Sequence, residues 1–490
     1  MTSAIVKRAN GDRTPGRGRI SKGAKAMIEA SSSSTRSRQQ KPSVHGSMPR
    51  IIAQRAALIV LTAIYLQLLI ILYRDHVVPM YDYFNFHWVG FSLENQLVSF
   101  LLIIPMVLLL PRSCSTLGGV IKWALVFAVF VPCLVIPIAS GYVSQSEGPF
   151  FNSLVVASFL ALHFAHFLAS HGRPFRLPRL SPTSFILILV IAWIAIFATF
   201  LIVAGFSISL NPFADIYDTR AEFRENVSTR NAFLAYAVPL VAKVVNPLLI
   251  VIGISRRHPL LVVMGLFGSI LVFNANAQKS VLLTIVMVPV VYFLLRRWRS
   301  LSAVGLSITF VGLATVSLFN PTIMELVFRR TIIVPGLLVG IYVNNFSQQG
   351  FVYLQHSIFG EFVQSDRLAP AREIGLNYWG RSAMSANANF LGDGFANFGY
   401  PGMLVFAGLL GLILGVADRM TRETSMAIVV ASSIGVIFAL IDTALLTTLI
   451  THGLIILVLL LAMFPKEEFR SLKRRTRSPA YTFGSALAQR

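Results

Sequence analysis

Seven charged side chains crowd residues 209–231, SLNPFADIYDTRAEFRENVSTRN. Arg220, Arg224 and Arg230 stand there against Asp215, Asp218, Glu222 and Glu225. A second stretch, 320–398, sets Arg329, Arg330, Arg367, Arg372 and Arg381 against Glu325, Glu361, Asp366, Glu373 and Asp393. Every cation in both stretches is Arg and none is Lys. Guanidinium offers a planar fork that grips a phosphate with two hydrogen bonds at once. All-Arg stretches therefore suit a pyrophosphate or an acidic sugar. A solvated surface that pairs its own charges is the other reading of each Arg. Arg329 and Arg330, adjacent and close behind an apolar run ending near Phe319, favour binding. Arg220 and Arg224 are four residues apart, as are Asp218 and Glu222, so each pair shares one face if the stretch is helical.

Proton transfer would need a carboxylate or an imidazole beside a reacting hydroxyl. Asp393 lies in NANFLGDGFANFGYPG, where four glycines alternate with Asn387, Asn389 and Asn397. Glycine lets a backbone turn sharply or approach a ligand closely. The amides, with Tyr400 at the end of the stretch, offer donors and acceptors of the kind sugars use. Glu361 and His356, the latter in QHSIFGEF, are the other candidate bases. A lone histidine with a purely structural role is the competing reading of His356. Lys279, in FNANAQKS between two apolar runs, can snorkel to headgroups or meet a lipid phosphate. Arg381 completes the candidate cations. No H-E-x-x-H, G-x-S-x-G or P-loop pattern is present, which argues against zinc, an elbow serine and an ATP-driven pump.

What must position these residues is a membrane bundle. The 490 residues are 55% hydrophobic and only 13% charged, with mean hydropathy +0.70. Soluble domains carry about 25% charged residues. Apolar runs of about 20 residues, rather than alternating strands, predict spanning helices and an all-α polytopic fold. About twelve spans are expected, near 51–72, 94–111, 120–140, 151–170, 184–207, 232–254, 259–275, 281–295, 300–319, 399–417, 425–445 and 448–464. Residues 209–231 and 320–398 then become loops on one face, the second long enough to hold short helices of its own. The basic clusters fall on the other face, which the positive-inside rule makes cytoplasmic together with both termini. Gly411 and Gly415 give the span after Asp393 a small-xxx-small spacing for close helix packing.

The net charge of +22 does not indicate nucleic acid. Eleven of the 42 Lys and Arg lie in residues 1–50 and seven in 466–490. Both ends read as basic cytoplasmic tails, the first too polar to fold and poised near anionic headgroups. They flank a membrane domain at 51–465. The first apolar run begins at Ile51, too late for a cleavable signal peptide. Cys114 and Cys133 read as free thiols. Inside the spans Arg55, His163, His166, Lys243, Asp442 and His452 do not line up into an evident proton relay, which weakens a transporter reading.

Three stretches resemble the Wzy-type oligosaccharide repeat-unit polymerases of O-antigen, capsule and exopolysaccharide assembly. They are QKSVLLTIVMVPVVYFLLRR, FRRTIIVPGLLVGIYVNNF and SANANFLGDGFANFGYPGMLVFAGLLGLILGVADR. A weaker likeness lies in VVPMYDYFNFHWVGF, and the long basic N-terminal tail departs from the family pattern. The resemblance implies transfer of a growing glycan from undecaprenyl pyrophosphate to a hydroxyl of an incoming lipid-linked unit, at the outer face of a bacterial plasma membrane. It implies no nucleotide, no metal and no other cofactor there, with a flippase and a chain-length regulator as partners. Its functional arginines would fall among Arg220, Arg224, Arg230, Arg329 and Arg330. An O-antigen ligase, or a flippase of lipid-linked oligosaccharide, is the alternative function.

Overall fold

A computed structural model describes residues 44–204, 231–276, 278–357 and 367–465. The chain divides into two units, Met1–Ala53 and Gln54–Arg490. Of the first, the described part is the start of helix α1 (Val44–Ile71). The second unit is almost wholly helical. Its only sheet pairs β1 (Ser113–Cys114) with β2 (Leu301–Ser302), among the described residues.

In chain order the helices are α2 (Leu93–Leu109), α3 (Leu117–Leu125), α4 (Val131–Ala139), α5 (Gly148–Ser170), α6 (Pro182–Ala204), α7 (Ala232–Leu240) and α8 (Asn246–Arg256). After them come α9 (Pro259–Asn276), α10 (Lys279–Trp298), α11 (Ala303–Phe319), α12 (Val334–Gln349) and α13 (Pro370–Trp379). The last are α14 (Phe390–Thr421), α15 (Met426–Ser432), α16 (Ile434–Asp442), α17 (Leu445–Leu449) and α18 (Leu454–Ala462). Helix starts follow their side chains: Ser92, Thr116, Ser302 and Asn389 each accept a backbone N–H of the first turn. Wider π-helical turns at Leu72–Val77, Val126–Phe130, Val241–Val245 and Met324–Ile333 continue α1, join α3 to α4 and α7 to α8, and precede α12.

Among the described residues nine helical segments are long and apolar enough to cross a membrane. Leu93–Leu109, Pro259–Ala275 and Ala303–Phe319 are apolar but shorter. Eight of the twelve expected spans coincide with long segments and three with these shorter ones. The twelfth, 425–445, is divided at Ser433 into α15 and α16 and is not among the nine long segments. One expectation needs correction. The stretch 320–398 is not one long loop, because Pro321–Gln349 forms a ninth apolar helical segment. Its polar punctuation, Glu325, Arg329, Arg330 and two asparagines, hides an apolar run that packs inside the bundle.

The α3–α4 segment is the bundle's centre, with every residue of α4 buried. Close packing around it runs through small residues. A Cβ on Gly411 would collide with the Leu162 carbonyl, and one on Gly415 would stand 2.6 Å from Ala169 Cβ, so α14 lies directly on α5 as the glycine spacing predicts. A Cβ on Gly340 of α12 would stand 2.9 Å from Pro137 Cα in α4. The outermost span, α6, exposes Leu187, Ile188, Ile191, Ile194 and Ile202, an apolar face suited to lipid.

The two ends of the bundle differ. At one, Arg55 donates to the backbone carbonyls of Val107 and Leu110, Ala303 N–H bonds the Arg112 carbonyl, and Leu180 N–H bonds that of Met463. Arg176, Arg179 and Arg419 gather there too. At the other end Val89 N–H bonds the Ala139 carbonyl, Asn85 donates to the Tyr378 carbonyl, and Val352 N–H bonds that of Ala396. Residues 54–55 and 463–464 therefore lie at the same, basic end.

Candidate functional site

The polar residues of the less basic end converge on the start of α14. Asn389 opens the helix, its Oδ1 accepting the Leu391 N–H at 3.0 Å. Asp393 follows in the first turn, where the exposed N–H groups of a helix favour an anion. Helical geometry then fails at Phe398 and Gly399, the latter with φ +66°. Gly394 and Gly402 come so close across this break that a Cβ on Gly394 would lie 2.5 Å from the Gly402 carbonyl. The stretch NANFLGDGFANFGYPG is therefore two helical pieces joined by a break, rather than a loop leading into one helix.

The break sets up a small network. Asn397 donates its amide to the Asp393 backbone carbonyl at 2.8 Å and to its Oδ1 at 3.1 Å. The Asn397 Oδ1 accepts the Leu354 N–H at 2.7 Å, tying in the segment that leads to His356. Asp393 Oδ2 accepts the Leu445 N–H at 3.2 Å, at the start of α17. Tyr342 lies against Gly392, and its hydroxyl donates to the Ala386 carbonyl at 2.9 Å. Each carboxylate oxygen thus accepts one hydrogen bond and keeps lone-pair capacity for another donor. Asn389 Nδ2 is buried and has no hydrogen-bond partner among the described residues.

The expected cations are dispersed around this end. Arg329 sits in the π-helical segment, largely buried, with its guanidinium carbon 4.0 Å from the Tyr81 ring centre. Its only ion pair among the described residues is a loose one, 3.8 Å to Glu325. Its Nε is buried without a hydrogen-bond partner there. Arg330 and Arg381 are exposed. Lys279 is half-buried at the start of α10, a helix whose far end adjoins β2 at the basic end. Asn387 is exposed and accepts a hydrogen bond from Ser385, while half-buried Tyr400 packs edge-on against Phe150 and Phe395. His356 is exposed; partial burial and then the Arg367 charge hold its pKa below the ordinary imidazole value. Arg220, Arg224, Arg230 and Glu361 lie outside the described residues.

Two features here go beyond the sequence reading. The first is the Arg367–Glu373 pair, whose contacts of 2.6 and 2.7 Å form a bidentate clamp. Asn345 adds a 2.8 Å hydrogen bond to Glu373, and Arg367 stands 5.3 Å from the Phe346 ring centre. The second is an aromatic and amide cluster. Phe84 packs on Trp379 at 5.4 Å, Asn85 donates to the Tyr378 carbonyl, Tyr142 donates to that of Asn85, and Asn344 donates to the Tyr378 hydroxyl. Burial and then the Tyr142–Tyr378 proximity raise the Tyr142 pKa, so its phenol stays a donor. Its signal in the sequence is YDYFNFHW and LNYW, where rings alternate with amides and acids.

A third feature lies at the basic end, where His166, one of the ionisable span residues, meets Lys122 and Asp418. Lys122 Nζ lies 3.1 Å from His166 Nδ1, and His166 Nε2 lies 2.9 Å from Asp418 Oδ2. Asp418 Oδ1 accepts the Gly118 N–H at 2.8 Å. All three side chains are buried. With Lys122 donating to Nδ1, the imidazole carries its proton on Nε2 and donates to Asp418. The chain of contacts joins α3, α5 and α14, residues up to 300 positions apart in sequence. Spacing along a single helix could not show it.

The chain matches no family model, no curated protein and no solved structure.

Proposed function

We propose that this protein is a membrane-embedded glycosyltransferase that polymerises oligosaccharide units carried on a lipid pyrophosphate. In this reading about twelve spans cross a bacterial plasma membrane, both termini are cytoplasmic, and the site faces outward. The carrying observation is Asp393, an acid held between the starts of α14 and α17 with unused acceptor capacity, at the end opposite the basic loops. The placement of residues 54–55 and 463–464 at one end also supports an even number of crossings.

The reaction balances without a cofactor. The acceptor hydroxyl oxygen attacks the anomeric carbon of the donor, forming the glycosidic bond. The bond from that carbon to the pyrophosphate oxygen breaks, and the leaving group departs with the electron pair. The hydroxyl proton passes to the Asp393 carboxylate. Arginine stabilises the charge growing on the pyrophosphate, with Arg329 the best supported of the described cations because of its burial and unused Nε. Arg330, Arg381 and Lys279, dispersed around the same end, are assigned to auxiliary anion contacts. Asn389 and the Trp379–Tyr378 cluster suit sugar hydroxyls and ring faces.

The test is the glycan profile of a deletion strain complemented with wild type or Asp393→Asn. Lipid acceptors carrying one repeat unit in both the deletion and the variant support the reading. Full-length chains from the variant remove Asp393 as the base. Unattached polymer in the deletion indicates a ligase, and loss of all outer-face product a flippase.

A further inference from the structure

At the basic end, away from Asp393, a cavity of about 210 Å³ opens between residues 174–179 and the end of α14. Three guanidinium groups line it, those of Arg176, Arg179 and Arg419, against a single acid, Glu423. The acid is already engaged on both oxygens. Arg176 Nε donates to Oε1 at 3.2 Å and Arg179 to Oε2 at 3.1 Å. Arg179 is further fixed by donating to the Phe464 carbonyl at 3.1 Å. Arg419 uses Nε on the Arg173 carbonyl at 3.1 Å and has no acidic partner among the described residues. The lining thus carries three positive charges against one negative. Phe175, Met420 and Ala462 form apolar wall beside the guanidinium groups.

We propose that this cavity is a binding site for a phosphate group, belonging to an anionic phospholipid or to free inorganic phosphate. Excess guanidinium beside an exhausted acid is the donor set that phosphate oxygens satisfy in forked pairs. The site lies where the 174–179 linker leaves α5 for the lipid-facing α6, the level at which headgroups meet a bundle. Its apolar wall gives an acyl chain somewhere to lie. The site is independent of the transfer chemistry at the other end.

The test uses the full chain in neutral detergent. Dioleoylphosphatidylglycerol and inorganic phosphate are titrated separately, with native mass spectrometry counting lipid and thermal unfolding reporting phosphate. Arg419→Gln should weaken binding about tenfold, the scale of one lost charged hydrogen bond. Glu423→Gln should tighten it several-fold by removing the competing anion. Retained phosphatidylglycerol that phosphate does not displace identifies a lipid site, and displacement identifies a site open to free phosphate. Should Arg419→Gln fail to fold, Glu423→Gln decides. Equal binding by wild type and a folded Arg419→Gln overturns the proposal. So does weaker binding by Glu423→Gln, or no binding of either probe to wild type.

Discussion

The Asp393 carboxylate and the Leu445 backbone N–H meet at 3.2 Å, so an acid in the first turn of α14 closes the start of α17. The contact joins two helices 52 positions apart, and under the proposed function Asp393 has two tasks. It satisfies an orphan N–H of a five-residue helix, and it offers the proton acceptor that glycosyl transfer needs. The tasks differ in chemistry. A neutral amide can perform the first but not the second.

Asp393→Asn should therefore keep the fold and lose the reaction. Its single amide oxygen can still accept the Leu445 N–H, but its Nδ2 then faces the Asn397 amide that donated to Asp393 Oδ1, so the thermal midpoint should fall modestly. Loss of a general base lowers rate by about 10² to 10⁴. Asp393→Ala removes the cap as well and should lower stability by about 1 kcal/mol. Thermal unfolding of the purified variants, read beside polymer length in complemented cells, separates the effects. An Asn variant that makes wild-type chain lengths would mean that Asp393 serves structure alone.

Arg329 yields a charge-preserving prediction. Its guanidinium stacks on Tyr81 at 4.0 Å while Nε lacks a partner among the described residues. Arg329→Lys keeps the charge and loses both the planar stack and the fork. Polymerisation should fall about tenfold or more, the scale of a charge-assisted hydrogen bond. Tyr81→Phe, which keeps the ring, should leave activity near wild type, whereas Tyr81→Leu should resemble the lysine variant. Wild-type chain lengths from Arg329→Lys would remove forked anion binding at this position.

His356 gives a prediction of pH dependence. Its pKa is lowered, so the ring remains neutral on acidification until the pH falls below the ordinary imidazole range of about 6.5. A reaction that used His356 as acceptor would hold its rate as pH falls through about 6.5 and lose it only at lower pH, and His356→Gln would abolish that limb. We expect the Gln variant to retain the wild-type profile, because the proposed base is Asp393. A pH–rate series on both proteins checks this.

What the sequence reveals, and what it conceals, follows from the range of the interactions. Span positions and the α5–α14 glycine contact are legible because apolar length and small-residue spacing are local properties. Gly411 and Gly415 meet Leu162 and Ala169 as their spacing predicts. The Pro321–Gln349 segment reads as loop because its charges are local while the partners that accommodate them are not: Tyr81 receives Arg329 from 248 positions away. The Lys122–His166–Asp418 contacts are illegible for the same reason. The Gly- and Asn-rich stretch singles out Asp393, but its bond to Leu445 belongs to tertiary structure.

Those buried contacts predict strong coupling. Removing one partner of a buried charge pair costs about 3–5 kcal/mol, because the other charge is left uncompensated. Lys122→Met and Asp418→Asn should each destabilise on that scale. The double variant should be more stable than the sum of the singles predicts, since Asn can still accept the Gly118 N–H and no unpaired charge remains. A double-mutant cycle on unfolding free energy measures this coupling. Additive losses would show that Lys122 and Asp418 do not communicate through His166.

Gly399 tests whether the break in α14 is required. With φ +66° and ψ −151° it occupies a region that side chains rarely adopt, and a Cβ there would stand 2.8 Å from Phe351 Cζ. Gly399→Ala combines backbone strain of about 1–3 kcal/mol with a ring clash. Phe351→Leu should relieve the clash and leave the strain, so the double variant should recover only part of the stability. Activity should follow the backbone rather than the ring, because the break brings Asn397 within reach of both Asp393 and Leu354. A double variant that regains full stability but not polymerisation would assign the break to function. One that regains both would show that the α14 backbone tolerates a side chain at 399, and that the geometry around Asp393 does not depend on glycine there.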